Sequence, residues 1–188
     1  MTTGSVSPRR ADTRRNHERI LAAAAESLAK AGEVSFNAIA KQAEVGVGTV
    51  YRHFPTPEAL ILAVYQREVR HLVDVVPVLL DKHAPDAAFR AWVTDHLAHY
   101  MMTKKGLADA LRRATASRGE LPANAYEAMV GAMARLLEAN AEAGTVRPDL
   151  DPVVVLRGLA GLLMLDPNGE WRADAAALAA LLWHGMAR

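Results

Sequence analysis

The chain reads as all-α, with a small N-terminal helical head followed by a longer helical body. Three observations lead there. Apolar residues recur at three- and four-residue spacing along most of the chain, and no segment alternates with period two over a useful length. Ala and Leu, both strong helix formers, dominate a composition that is 51% hydrophobic. Helix stops and starts punctuate the periodic stretches: Gly32 and Gly144 as C-terminal stops, Ser35, Thr56 and Asp151 as caps, and Pro57 and Pro152 one residue past a cap. The 188 residues allow one or two domains and a sizeable core.

Residues 1–12 mix Thr, Gly, Ser and Pro8 without periodicity and include Arg9 and Arg10, so they read as a flexible basic arm. A first helix spans about 13–31, with Ile20, Ala24 and Leu28 on one face. Ser35 caps a short second helix, about 36–43, whose Ile39 and Ala40 face inward. Glu44-Val45-Gly46 turns the chain into a third helix at 47–53, where Val50 and Phe54 stand four apart toward a core. A fourth helix from Pro57 carries Leu60, Ile61, Val64, Tyr65, Val69 and Leu72 until Pro77 ends or kinks it. Further helices fall at about 85–103, 107–117, 122–143, 152–165 and 171–187. The organisation expected is an arm at 1–12, a small helical head at 13–55 and a helical body at 56–188.

Composition removes several function classes. With no cysteine, a disulfide framework, a thiolate metal site and a Cys nucleophile are impossible, which fits a reducing cytoplasm. The first 15 residues lack the apolar core of a signal peptide. The longest apolar run, 175–183, is far short of the roughly 18–20 residues that cross a bilayer, so no membrane partner is expected. There is no nucleophile elbow, no phosphate loop and no carboxylate pair in a recognisable frame, so neither an enzyme nor a cofactor is expected. His83, His96 and His99 invite a metal site, with His96 and His99 three apart, yet no acidic or Cys partner stands at ligand spacing and His71 lies on another helix; no metal is expected. Charge is uneven. Residues 1–53 hold eight Lys and Arg against five Asp and Glu, a balance of +3 that leaves −2 for the rest of a chain whose total is +1. A basic head on a mildly acidic body suits polyanion binding or a solubilising tail.

The helix pair at 37–54 is the most informative stretch. Ile39, Ala40, Val45, Val50 and Phe54 supply an apolar back. Gly46, Val47, Gly48, Thr49, Tyr51, Arg52 and His53 are left outward, short or rich in hydrogen-bond donors, as a helix entering the major groove requires. Gly46 and Gly48 disfavour a helix, and close approach to a sugar-phosphate wall gives them a purpose. The competing reading is an ordinary helical hairpin; the outward donors favour DNA.

Four segments carry a resemblance: Arg19-Ile-Leu-x-Ala-Ala, Ile39-Ala-x-x-Ala-x-Val, Gly48-Thr-Val-Tyr-Arg-His-Phe and Glu58-Ala-Leu. In order, spacing and residue type they resemble the N-terminal domain of tetracycline-repressor (TetR) family regulators, over about residues 13–65. The resemblance implies a homodimeric transcriptional regulator, usually a repressor, released from a DNA operator by a small-molecule effector. It places Thr49, Tyr51 and His53 at phosphate-contacting positions and Val47 and Gly48 at base edges. It also puts Asn37 at a base-reading position of the second helix, Arg14 and Arg15 where the first helix meets the backbone, and Arg9 and Arg10 on an arm that reaches the minor groove. Three residues depart from the pattern. Glu44 stands where a turn Gly is commoner, so the turn must avoid positive φ or strain there. Val47 replaces a polar or Lys residue, and Pro57 replaces a phosphate-binding Lys.

In the body, Phe89, Trp92, His96 and Tyr100 share a face of a helix that lines the effector pocket in that family, and Tyr126, Met129 and Met133 join them as candidate pocket residues. Each of them also reads as ordinary core. Arg112 and Arg113 read as a solvated face. The stretches 153–165 and 175–183 are apolar on nearly all sides and call for more cover than one subunit supplies. Val154, Gly158, Gly161, Leu162, Leu178 and Leu182 are therefore the candidate dimer interface, and the family pairs its last two long helices in this way. Two-fold symmetry sets recognition helices about 34–36 Å apart and implies a palindromic operator. A DNA-binding regulator without a small-molecule effector and a helical protein-interaction module remain as alternatives.

Overall fold

The computed structural model describes residues 8–116 and 123–188. The helices are α1 (Pro8–Ala31), α2 (Phe36–Gln42), α3 (Val47–His53) and α4 (Pro57–Lys82), then α5 (Pro85–Ala91), which passes through a π-helical stretch, Trp92–Ala98, into α6 (His99–Thr103). They continue as α7 (Lys105–Thr115), α8 (Ala123–Glu142), α9 (Pro152–Leu159) with a 3₁₀ extension at Ala160–Met164, and α10 (Trp171–Met186). No strand occurs among the described residues, and an isolated antiparallel bridge joins Val146 to Ala187. The fold is all-α, with an N-terminal helix-turn-helix and a helical C-terminal part.

Two boundaries differ from the pattern in the sequence. Residues 8–12 of the expected arm belong to α1, while residues 1–7 lie outside the described residues. Proline suits a first helical turn, where its missing N–H costs nothing and its φ is already helical. Pro77, in turn, does not end α4, which runs on to Lys82. It faces solvent, where water can serve the carbonyl one turn back that loses its donor, while Val76 and Leu79 beside it stay in the core.

The described residues fall into two compact units. The first comprises the chain up to Arg67 together with α7. Its interior is Ile20, Leu21 and Leu28 of α1, Ile39 of α2, Val50 of α3, Leu60 and Val64 of α4, and Leu107 and Leu111 of α7, all buried. Ser35 and Thr56 cap as expected, each accepting from the backbone N–H three residues on (3.4 Å to Ala38, 3.2 Å to Ala59). Gly32 ends α1 at φ +66°. Gly106 sets the distance between α7 and α1: a Cβ there would stand 2.1 Å from the Leu28 carbonyl oxygen. Arg113 crosses the same seam and donates through Nη2 to the Gly32 carbonyl at 2.6 Å, so it is not merely solvated.

The second unit comprises Glu68–Lys104 and the residues from α8 onward. The π-helical stretch decides which residues enter its core. Trp92, Val93, Leu97, Ala98 and Met102 are buried, a spacing of five that the wider π turn brings onto one face. The Trp92 indole N–H donates to the Leu72 carbonyl at 2.9 Å. Asn140 has no exposed surface and is fully engaged: Nδ2 donates to Leu136 and Pro85 carbonyls at 2.8 and 2.9 Å, and Oδ1 accepts from the Thr145 hydroxyl at 2.8 Å.

A methyl at Gly106 must push backbone against backbone. Gly106→Ala is expected to destabilise the protein by about 3 kcal/mol, the upper end of overpacking costs, read as a lower urea midpoint followed by circular dichroism.

Candidate nucleic-acid interface

The turn between α2 and α3 is closed by the backbone of α2 itself. The Val45 N–H bonds to the Ala40 carbonyl (3.0 Å) and the Glu44 N–H to the Lys41 carbonyl (3.2 Å), the paired bonds of a Schellman C-cap. That geometry demands a left-handed residue between them, and Glu44 takes it at φ +50°. A side chain with a Cβ is held there at a cost of about 1–2 kcal/mol. Arg19 of α1 donates to the Glu44 carboxylate at 2.6 Å and braces the turn against α1. The pairing of Arg19 with Glu44 does not stand out in the sequence, because the partners are 25 positions apart.

Gly46 then opens α3, its carbonyl accepting from the Thr49 and Val50 N–H groups at 2.8 and 3.3 Å. Val50 is the buried residue of α3, and Phe54 is buried just past its end. The outward positions are those anticipated. Gly46, Gly48 and Arg52 are exposed, Val47 is 39% exposed and Tyr51 54%, while Thr49 and His53 are half-buried. A Cβ at Gly48 would meet no side chain beyond its immediate neighbours and no other segment within 4 Å, so α3 shows bare backbone there. Asn37 is exposed on α2, and Arg14 and Arg15 are exposed on α1, Arg15 paired with Asp12. Arg9 and Arg10 fall in the first turn of α1.

Two side chains absent from the sequence reading shape this face. The Phe36 ring meets the Tyr51 ring edge-on at 4.7 Å and holds the phenol in place. His17 of α1 stacks on Phe54 at 5.0 Å and on His53 at 5.5 Å. Burial first, then the charges of His17 and Arg52, hold the His53 imidazole below its ordinary pKa. Arg52 folds back along its own helix: Nε donates to the Gly48 carbonyl at 3.2 Å and Nη2 to the Thr49 hydroxyl at 2.9 Å.

The candidate effector residues do not form one wall. Phe89, Trp92 and Met133 have no exposed surface and fill the core of the second unit, because an apolar stripe looks alike whether it packs or lines a cavity. The π turn puts Leu97 and Met102 where His96 and Tyr100 were expected, leaving those two half-buried; Met129 is half-buried too, and Tyr126 is 41% exposed. A cleft of about 390 Å³ in this unit is lined instead by Thr94, Asp95, His99, Trp171, Arg172 and Ala176. The dimer candidates also sort differently. Leu162 is buried, since the 3₁₀ turn carries Leu159 and Leu162 inward at three-residue spacing and leaves Met164 outside, 84% exposed. Gly158 makes room within the chain, for a Cβ there would meet Leu182 at 3.1 Å. Leu178 and Leu182 pack against the core, Gly161 is half-buried, and Val154 and Leu181 are exposed. Among the described residues, no group of three or more His, Asp or Glu is placed to hold a metal.

Two stability tests follow from this geometry. Glu44→Gly removes the left-handed strain as well as an exposed ion pair worth at most about 1 kcal/mol, whereas Glu44→Ala removes the pair and keeps the strain. Urea melts are expected to show the Gly variant at least as stable as wild type and more stable than the Ala variant by about 1 kcal/mol. His53 has its pKa lowered on folding, so the unfolded chain, with an imidazole near the usual value of about 6.5, binds more protons. Its contribution is neutral above that pH and destabilising as pH falls through about 6.5. Melts at pH 7.5 and 5.5 are expected to show a smaller acid loss of stability in His53→Asn than in wild type.

Comparison with known proteins bears on the same surfaces. Residues 84–188 match the family described as "Transcriptional regulator SbtR-like, C-terminal domain", and residues 20–64 match "Bacterial regulatory proteins, tetR family". No curated protein matches the chain. Among solved structures, the TetR transcriptional regulator SCO0520 from Streptomyces coelicolor is 38% identical, with a TM-score of 0.76 over 91% of this chain and 98% of that one. The TetR transcription regulatory protein from Mycobacterium vanbaalenii is 32% identical, with a TM-score of 0.72 over 96% of this chain and 100% of that one. With its helix-turn-helix at the N-terminus and this extent of similarity along the chain, the protein belongs to the TetR family of DNA-binding transcriptional regulators.

Proposed function

We propose that the protein is a homodimeric repressor that binds a palindromic operator and is released from it by a small, mainly apolar effector in the cytoplasm. The observation that carries the DNA half of this reading is α3 itself: a short helix anchored by Val50 and Phe54, whose other face offers bare backbone at Gly48 and the polar groups of Thr49, Tyr51, Arg52 and His53. None of these groups is buried in the core of the unit, although Tyr51 rests on Phe36 and His53 on His17, and such a face matches what the wall of a major groove accepts. Dimerisation is supported by the apolar residues left outside α9, its 3₁₀ extension and α10, namely Val154, Leu163, Met164 and Leu181. The cleft floored by Trp171 is of a size that holds a small ligand, and it supports the effector half of the reading.

An effector releases DNA only insofar as it binds the DNA-free state more tightly. Because α4 contributes Pro57–Arg67 to one unit and Glu68–Lys82 to the other, displacement of this helix is the route proposed for that coupling. Fluorescence anisotropy on an operator selected from random duplexes tests the whole reading. Binding is expected to weaken about a thousandfold or more between 50 and 200 mM salt, as for a protein neutralising several phosphates. Leu181→Glu is expected to raise the dimer dissociation constant at least about tenfold in sedimentation velocity and to weaken operator binding in parallel. A chemical panel in which no small molecule weakens binding would remove the effector and leave an effector-free regulator.

A further inference from the structure

Arg52 is the penultimate residue of α3, so its Cα sits at the end of the helix away from the turn. A recognition helix reads bases mainly through its first turns. The side chain reverses that placement. Its Nε bonds to the Gly48 carbonyl and its Nη2 to the Thr49 hydroxyl, which draws the guanidinium back over the opening turns of the helix. Both acceptors are neutral, and no carboxylate among the described residues pairs with Arg52. Arg15 and Arg19, by contrast, are each tied to an acid of the same unit. The guanidinium keeps its full charge. Its uncommitted donors are both hydrogens of Nη1 and the second hydrogen of Nη2. One hydrogen of Nη1 and that of Nη2 form the outer end of the fork, the pair of parallel N–H groups that meets O6 and N7 of a guanine in the major groove. The surroundings leave room for it. Gly48 has no side chain, and Val47 beside it has no donor to compete for the same base.

We propose that Arg52 reads one guanine in each operator half-site, and that Thr49 is the positioning residue that holds the guanidinium fork in its reading orientation. This rests on the DNA-binding reading above and adds the base to it. Thr49 thereby acts through Arg52, in addition to any phosphate it touches.

The test uses the full-length protein and duplexes selected by it from a random library, followed by every single-base change in the selected half-site. For wild type, replacing one symmetry-related guanine is expected to cost about 5- to 100-fold in affinity. In Arg52→Ala that position alone loses its preference, while discrimination elsewhere in the site persists. Thr49→Val is expected to reduce the preference at the same guanine, and Thr49→Ser, which restores the hydroxyl, to recover it. A uniform loss across all sequences in Arg52→Ala, with a salt slope shallower by about one unit per half-site, would identify a phosphate contact and overturn the proposal. Unchanged guanine preference in Thr49→Val would overturn the role of Thr49. Failure of wild type to select any duplex would sink the DNA-binding reading itself, an outcome distinct from both.

Discussion

A helix of seven residues does not hold together by itself in water, and the helix-turn-helix of this protein is built from two of them in succession. Everything that α2 and α3 present to the outside depends on what they bury. For α3 the anchor is small: Val50 within the helix and Phe54 just beyond it, both buried, with α3 packed on α2. The rest of its order comes from its ends. The Gly46 carbonyl accepts twice at the start, and the Schellman bonds at Ala40 and Lys41 fix the chain that enters it. A back this apolar and this compact leaves six of the seven positions of α3 outside the buried core, although Tyr51 rests on Phe36 and His53 on His17.

The platform under these short helices is wider than the motif suggests. The sequence match to the DNA-binding family ends at residue 64, yet the compact unit includes α7, more than 40 positions later. Gly106 lets α7 approach the carbonyl of Leu28, and Arg113 completes the unpaired end of α1 at Gly32. α1 carries Arg14, Arg15, His17 and Arg19 in its first half and meets α7 in its second. The packing of α7 therefore bears on a helix that also supports the DNA face.

Much of the head was legible because its constraints are local. Caps at Ser35 and Thr56 and the four-residue spacing of Val50 and Phe54 are short-range patterns, and they mark the starts of α2 and α4 and the buried side of α3. The conflict at Glu44 was visible too, but its resolution was not: whether the turn or the residue yields is set by backbone bonds three and five positions apart, reinforced by Arg19. The body was less readable. A stripe at helical spacing does not distinguish a packed core from a ligand wall, and Phe89, Trp92 and Met133 went to the core. Nor does it announce a change of helical period. The π turn at Trp92–Ala98 and the 3₁₀ turn at Ala160–Met164 each rotate the buried face, which is why His96, Tyr100 and Leu162 are not where a continuous α-helix puts them.

Charge shows the same gap between composition and placement. The first 53 residues carry a balance of +3, a figure that invites a picture of a basic head drawn to a polyanion. In the fold, most of the acids of that segment are spent on nearby cations: Asp12 on Arg15, Glu26 on Lys30, Glu44 on Arg19, and Glu18 on Arg67. Such exposed pairs add little stability, but each cancels a cation locally. On the mode of DNA binding proposed for α3, what remains to meet phosphate or base is not a diffuse field. It is a few donors whose positions are fixed by neutral neighbours, with Arg52 on Gly48 and Thr49 and Tyr51 against Phe36. Recognition by this head is then governed by where those donors point more than by how much charge it bears.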